Sequence, residues 1–332
     1  MNESYLNFRT DMADERVDTY KQVHNLSDID GIKVESKDKD GINTTIVDVV
    51  NENGKQALGK ELGKYITIEK YDMEYLDEEQ KQLVIKELAD NINLLVNGIS
   101  KVNIENETNE NNKSILVVGL GNSSVTPDAL GPKVISYINI TRHIIKYADN
   151  LIEPGTREIS GISPGVLGTT GIETSEIIAS VIDKVKPEML IVIDSLASKS
   201  ISRIGKTIQL SNTGITPGAG VNNKRSALDE KTLGIPVIAV GVPTVVDMAT
   251  ITNEAIDKLI ESIKNEVTNY TNNNIGEEKI NNIFEFFEKD ERYNMIANAL
   301  DSENYIVTPK EIDNVIAKIS EIIASSINVA LA

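Results

Sequence analysis

Apolar positions are sparse and unperiodic over residues 1–30, where Arg9, Asp11, Asp14, Glu15 and Arg16 mix charges of both signs. Such a stretch buries too little surface to offset its ordering entropy, so it is expected to be an extension that packs weakly or can be removed. The pattern changes at Gly31. Ile32-Lys33-Val34-Glu35 alternates apolar and polar, and Thr44 to Val50 is dense in β-branched residues; both predict strands. Gly54 and Gly59 punctuate a short helix before a third strand, Tyr65 to Glu69. Over residues 77–98 the apolar positions Leu83, Val84, Leu88, Ile92, Leu95 and Val96 recur at helical spacing, and Gly98 is expected to end that helix. A polar loop over 101–113 follows.

From Ser114 the signal is that of a buried parallel sheet. Continuous apolar runs end at Gly119 (SILVVG), Asp194 (MLIVID) and Gly241 (PVIAVG), separated by helical segments near 130–139 and 173–185 and followed by one at 247–269. Strand, loop and helix in this order predict an α/β fold, mainly a parallel sheet with helices on both faces. Residues 277–300 and 310–325 repeat apolar positions every three or four residues and predict C-terminal helices. The expected organisation is one domain over 12–332: accessory strands at 31–70, a core at 114–270 and terminal helices at 277–325.

The net charge of −18 repels phosphate backbones, so direct nucleic-acid binding is not expected; basic or neutral protein partners suit this field better. No cysteine is present, which removes disulfides, thiolate metal sites and cysteine nucleophiles. With two histidines, His24 and His143, a His-rich metal site is also excluded. No apolar run reaches the roughly 18 residues of a membrane span, and Met1 to Arg9 lacks the layout of a secretory signal. A cytoplasmic protein without a membrane partner is the expectation.

In open parallel sheets ligands bind beyond the carboxyl ends of the strands. Asp194 closes the second buried strand, and Asp128 lies in the Gly-rich loop after the first. A carboxylate at the end of an apolar strand costs several kcal/mol if it lacks a partner, so it has either a partner or a task. Catalysis and the capping of a following turn are both open for Asp194. Gly119-Leu-Gly121 imitates a dinucleotide fingerprint but lacks the third glycine and the acidic residue after the next strand. Two further Gly-rich loops, 161–171 and 213–220, fit either a working site or plain surface turns. His143 is a base or, beside Ile144 and Ile145, a structural hydrogen-bonder.

Taken together, GLGNSSVTPDALGPKV, GISPGVLGTTGIET, IDSLAS, ITPGAGVNNKR and VGVPTVVD, in this order, resemble the spore germination protease family of endospore-forming bacteria. The likeness runs over essentially the whole chain and implies a clostridium-like source; tryptophan is absent and Asn, Ile and Lys are abundant, as an AT-rich genome would give. It implies an intracellular endopeptidase of the forespore and spore core that needs no cofactor. Its fold would be phosphorylase- or hydrolase-like, related to hydrogenase maturation endopeptidases. Its substrates would be the small acid-soluble spore proteins, and its assembly a homotetramer. The family's catalytic aspartates fall on Asp128 and Asp194, and its zymogen processing site on Arg9-Thr10-Asp11-Met12-Ala13, so residues 1–11 would be a propeptide cut off between Asp11 and Met12. Gly119, Gly121, Asn122 and Gly168 are candidates for the oxyanion or active-site loop. Asp194-Ser195-Leu196 departs from the Asp-Thr-Gly of pepsin-like enzymes. The alternatives are a metal-dependent hydrolase with the same aspartates as ligands, and a nucleotide-binding module built on GLGNSS.

Overall fold

A computed structural model describes residues 10–102, 114–218, 226–270, 289–300 and 305–332. Its strands are β1 (Ile32–Lys39), β2 (Ile42–Val49), β3 (Gly63–Glu69), β4 (Ile115–Gly119), β5 (Ile159–Ile162), β6 (Met189–Ala197), β7 (Thr207–Ser211), β8 (Val237–Asp247) and the short β9 (Ile306–Val307). They form one sheet in the order β1-β2-β3-β7-β8-β6-β4-β5, with β9 on the end of β8. The half β8-β6-β4-β5 is parallel. The half β1-β2-β3-β7 is antiparallel and joins the other where β7 pairs with β8. The strands at 31–70 are therefore continuous with the core sheet.

The helices are α1 (Ala13–His24), α2 (Glu52–Leu58), α3 (Glu78–Val102), α4 (Leu130–Ile135), α5 (Arg142–Tyr147), α6 (Leu167–Thr170), α7 (Thr174–Val185), α8 (Glu230–Leu233), α9 (Met248–Tyr270), α10 (Lys289–Ala299) and α11 (Ile312–Leu331). Strand alternation sorts them into layers. Ile115, Val117, Ile191, Ile193, Ile238 and Val240 face one core with α3, α4 and α11. On the other face Leu116, Val118, Leu190 and Val192 pack against Ile178 and Ile182 of α7. Beside them Val47, Val49 and Tyr65 of the antiparallel half pack under α1 and Leu58 of α2. The result is an α/β architecture with helices on both faces, as the sequence pattern predicts.

Three details depart from the sequence-based expectations. The segment from Thr10 to His24 is not a loose extension: Met12 and Ala13 are fully buried and α1 belongs to a core. Few apolar residues announce it because polar contacts hold it. Arg16 donates to the carbonyls of Thr10 and Leu58, and Arg203 pairs with Asp14 and Glu15. Gly98 does not stop α3, which continues to Val102. Finally, α11 is long and apolar enough to cross a membrane by length and composition, but 61% of its apolar window is buried against the protein. The helical expectation for 277–300 falls mostly outside the described residues, which begin again at α10.

Candidate active site

The carboxyl ends of the parallel strands open into a cleft of about 290 Å³ lined by Asp11, Asp128 and Asp194 among others. Asp194 sits on β6, paired with Gly241 of β8 and on the same face as Leu190 and Val192. It is only 6% exposed. Since β6 runs on to Ala197, no turn follows Asp194 for it to cap. The amide of Ser195 donates to its Oδ1 at 2.9 Å.

Asp128 reaches the cleft from the other side, on a single 3₁₀ turn, Thr126–Asp128, that leads into α4. Two glycines of the preceding loop shape this approach. At Gly119 a Cβ would lie 2.1 Å from the carbonyl oxygen of Gly131, so β4 and α4 touch backbone to backbone. Gly121 has φ +113° and turns the chain so that the Asn122 amide donates to Asp128 Oδ2 at 2.8 Å. That bond fixes the carboxyl group within its loop.

Asp11 enters from the N-terminal segment. Its amide donates to the carbonyl of Ala197 at 3.0 Å, and the Ala197 amide donates back to Asp11 Oδ2 at 3.0 Å. This pairing falls where the register between β6 and β8 shifts, between Leu196 and Ala197, so the bulge leaves β6 backbone groups available to a third segment. Burial pushes the Glu15 carboxyl up, although the Thr10 hydroxyl, Arg203 and the Lys199 amide all favour its charge. Tight polar packing thus anchors the segment on both sides of the Asp11–Met12 bond.

Of the residues singled out in the sequence, Asp11, Gly121, Asp128 and Asp194 line the cleft together. Met12 lies beside them, fully buried. Gly119 and Asn122 support the loop from behind, Gly119 by close packing and Asn122 through its amide. Gly168 is exposed on α6 and does not line the cleft; Gly165 and Val166, just before it, do. His143 is exposed on α5 and does not line it either. Among the described residues no three His, Asp or Glu side chains are grouped to hold a metal ion. Neither Ser195 nor Thr244 was a candidate from sequence, yet both line the cleft, and their buried hydroxyls have no hydrogen-bond partner among the described residues.

Comparisons with known proteins identify the family. The family model described as Germination protease matches residues 9–276. A germination protease of Clostridium tetani is 43% identical over 328 residues, 98% of this chain and 96% of the relative. Those of Caldanaerobacter subterraneus and Priestia megaterium are 41% and 37% identical, covering 98% and 99% of this chain and 94% of each relative. Among solved structures, a [NiFe] hydrogenase maturation protease from Thermococcus kodakarensis superposes with a TM-score of 0.26 at 18% identity, covering 40% of this chain and 74% of its own. At that score the likeness carries no argument. The chain is a peptidase, a hydrolase of peptide bonds. It belongs to the germination protease family, the endopeptidases of spore germination.

Proposed function

We propose that the chain is a self-processing zymogen that cuts its own Asp11–Met12 bond and then degrades small acid-soluble spore proteins, with Asp128 and Asp194 as the catalytic pair. One observation carries this reading: Asp11 lines the same cleft as the two aspartates, so the chain presents its own processing site to them as a tethered substrate. While uncut, the segment also forms part of the cleft wall and so narrows the room for other substrates.

Peptide hydrolysis needs a base for the water and an acid for the leaving amine. Two carboxylates within a few ångströms of each other share a proton more readily than they both ionise; in this reading one takes the water proton while the other, protonated, supplies the acid. The Ser195 and Thr244 hydroxyls are spare donors for an extended peptide lying along β6 and β8. Small acid-soluble proteins as substrates, a forespore and spore-core location and an assembly of four copies complete the reading, supported by family membership.

The test is an intact-mass time course on the purified chain, followed by the same for an added small acid-soluble spore protein, with and without a chelator. A mass loss equal to residues 1–11, then discrete substrate fragments in both samples, is the expected outcome. A new N-terminus other than Met12 would refute the assigned bond. Loss of activity on chelation would replace the aspartate pair by a metal-bound site.

A further inference from the structure

We propose that Lys60 and Gln209 are the electrophilic half of the self-processing site, holding the carbonyl oxygen of Asp11 while its bond to Met12 is cut. The proposal rests on the reading that Asp11–Met12 is the processed bond.

The contacts follow the backbone across that bond. Lys60 Nζ donates to the Asp11 carbonyl at 2.6 Å, and Gln209 Nε2 donates to the same oxygen at 3.2 Å. The other end of the Gln209 amide, Oε1, accepts the Ala13 amide at 2.7 Å. One side chain thus brackets Met12, bonding the carbonyl before it and the amide after it as a neighbouring strand would. The Met12 amide, the nitrogen that would leave, donates to Thr10 Oγ1 at 3.1 Å. With Ala197 holding the Asp11 amide and carboxylate, and the Met12 carbonyl accepting from the Arg16 amide at 3.3 Å, every backbone polar group from the Asp11 amide to the Ala13 amide is engaged.

A merely structural role explains this poorly. Gln209 is 8% exposed in the middle of β7, where its neighbours Ile208 and Leu210 are fully buried apolar residues. Lys60 bonds a neutral carbonyl, and burial together with the nearby Arg16 lowers its pKa to about 8. Placing an ammonium there is unfavourable to the fold, and the arrangement matches the donors that stabilise charge developing on a carbonyl oxygen. In the step itself, water oxygen bonds to the Asp11 carbonyl carbon and the π pair moves onto the oxygen held by Lys60 and Gln209. The water proton goes to one carboxylate. The carbon–nitrogen bond then breaks, the Met12 nitrogen takes a proton from the carboxyl, and the carbonyl re-forms as the Asp11 α-carboxyl group.

The experiment compares the full-length chain with Lys60→Met, Lys60→Arg and Gln209→Met, reading loss of residues 1–11 by intact mass from pH 6 to 10 and folding by chemical denaturation. Lys60→Met should process roughly 100- to 1,000-fold more slowly, as loss of one oxyanion donor does, without a drop in denaturation midpoint. Lys60→Arg should restore most of the rate. The charged groups facing Lys60 are Arg16 and Asp14 of α1 and Asp11, with the Tyr65 ring of β3 at 5.6 Å. Wild type should slow as pH rises past the Lys60 transition, and Lys60→Arg should not slow there. Should Lys60→Met fail to fold, Gln209→Met serves as the second variant and should slow processing at least tenfold. Wild-type rates in a folded Lys60→Met or Gln209→Met overturn the proposal. A wild-type chain that does not cut at Asp11–Met12 removes instead the reading beneath it.

Discussion

Gly121→Ala separates the architecture of the Asp128 loop from the chemistry it supports. Gly121 adopts φ +113°, and a Cβ there would lie 2.0 Å from the Asp128 carbonyl oxygen and 3.0 Å from Asp128 Oδ1. The neighbour is backbone, so relief requires the Asp128 turn to retreat by about 1 Å, a displacement that typically costs an enzyme on the order of 100-fold. Two terms add in stability: about 1–3 kcal/mol for the backbone conformation and about 1–3 kcal/mol for the forced contact. Gly155→Ala isolates the first term, because Gly155 has φ +91° with nothing within 4 Å of the added carbon. Urea denaturation of both variants, with substrate cleavage followed by intact mass, gives the comparison. Gly121→Ala should lose more stability than Gly155→Ala and about 100-fold in rate, while Gly155→Ala keeps its activity. Equal stability losses and full activity in both would refute the idea that Gly121 exists to seat Asp128.

Gly98→Ala should stabilise the protein by about 0.5–1 kcal/mol, because Gly98 lies inside α3 with nothing within 4 Å of the added methyl; thermal melting checks this. Glu15 gives a pH signature. Its folded pKa is raised, chiefly by burial, so the folded state holds the proton more tightly and stability falls as pH rises through that pKa. Glu15→Gln should flatten the decline in denaturation midpoints that sets in as pH rises above the ordinary glutamate value of 4.5, and a decline unchanged by the substitution would contradict it.

The parallel half of the fold was legible because strands buried on both faces need unbroken apolar runs, and SILVVG, MLIVID and PVIAVG are such runs. The join between the two halves was not. It depends on β3 meeting β7, residues such as Ile66 and Leu210 far apart in sequence, and no local pattern encodes that partnership. Asp128 and Asp194 were legible by their place after apolar strands. The buried course of α1 was not, since Arg16, Glu15 and Asp14 look like a solvated face until Arg203, Lys199 and the Thr10 and Leu58 carbonyls are brought to them. Lys60 is a further case. In the sequence it is one lysine between a glycine and a glutamate, and only the fold sets its amine against the carbonyl of Asp11.

The central claim, that Asp128 and Asp194 form one catalytic pair, is tested most directly by Asp128→Asn and Asp194→Asn chains produced to begin at Met12 and mixed with a small acid-soluble spore protein. Both variants should fold as the wild type does by circular dichroism yet leave the substrate mass unchanged over a time in which wild type cuts it to completion. A folded variant of either aspartate that cleaves at the wild-type rate would take that residue out of the mechanism and contradict the account.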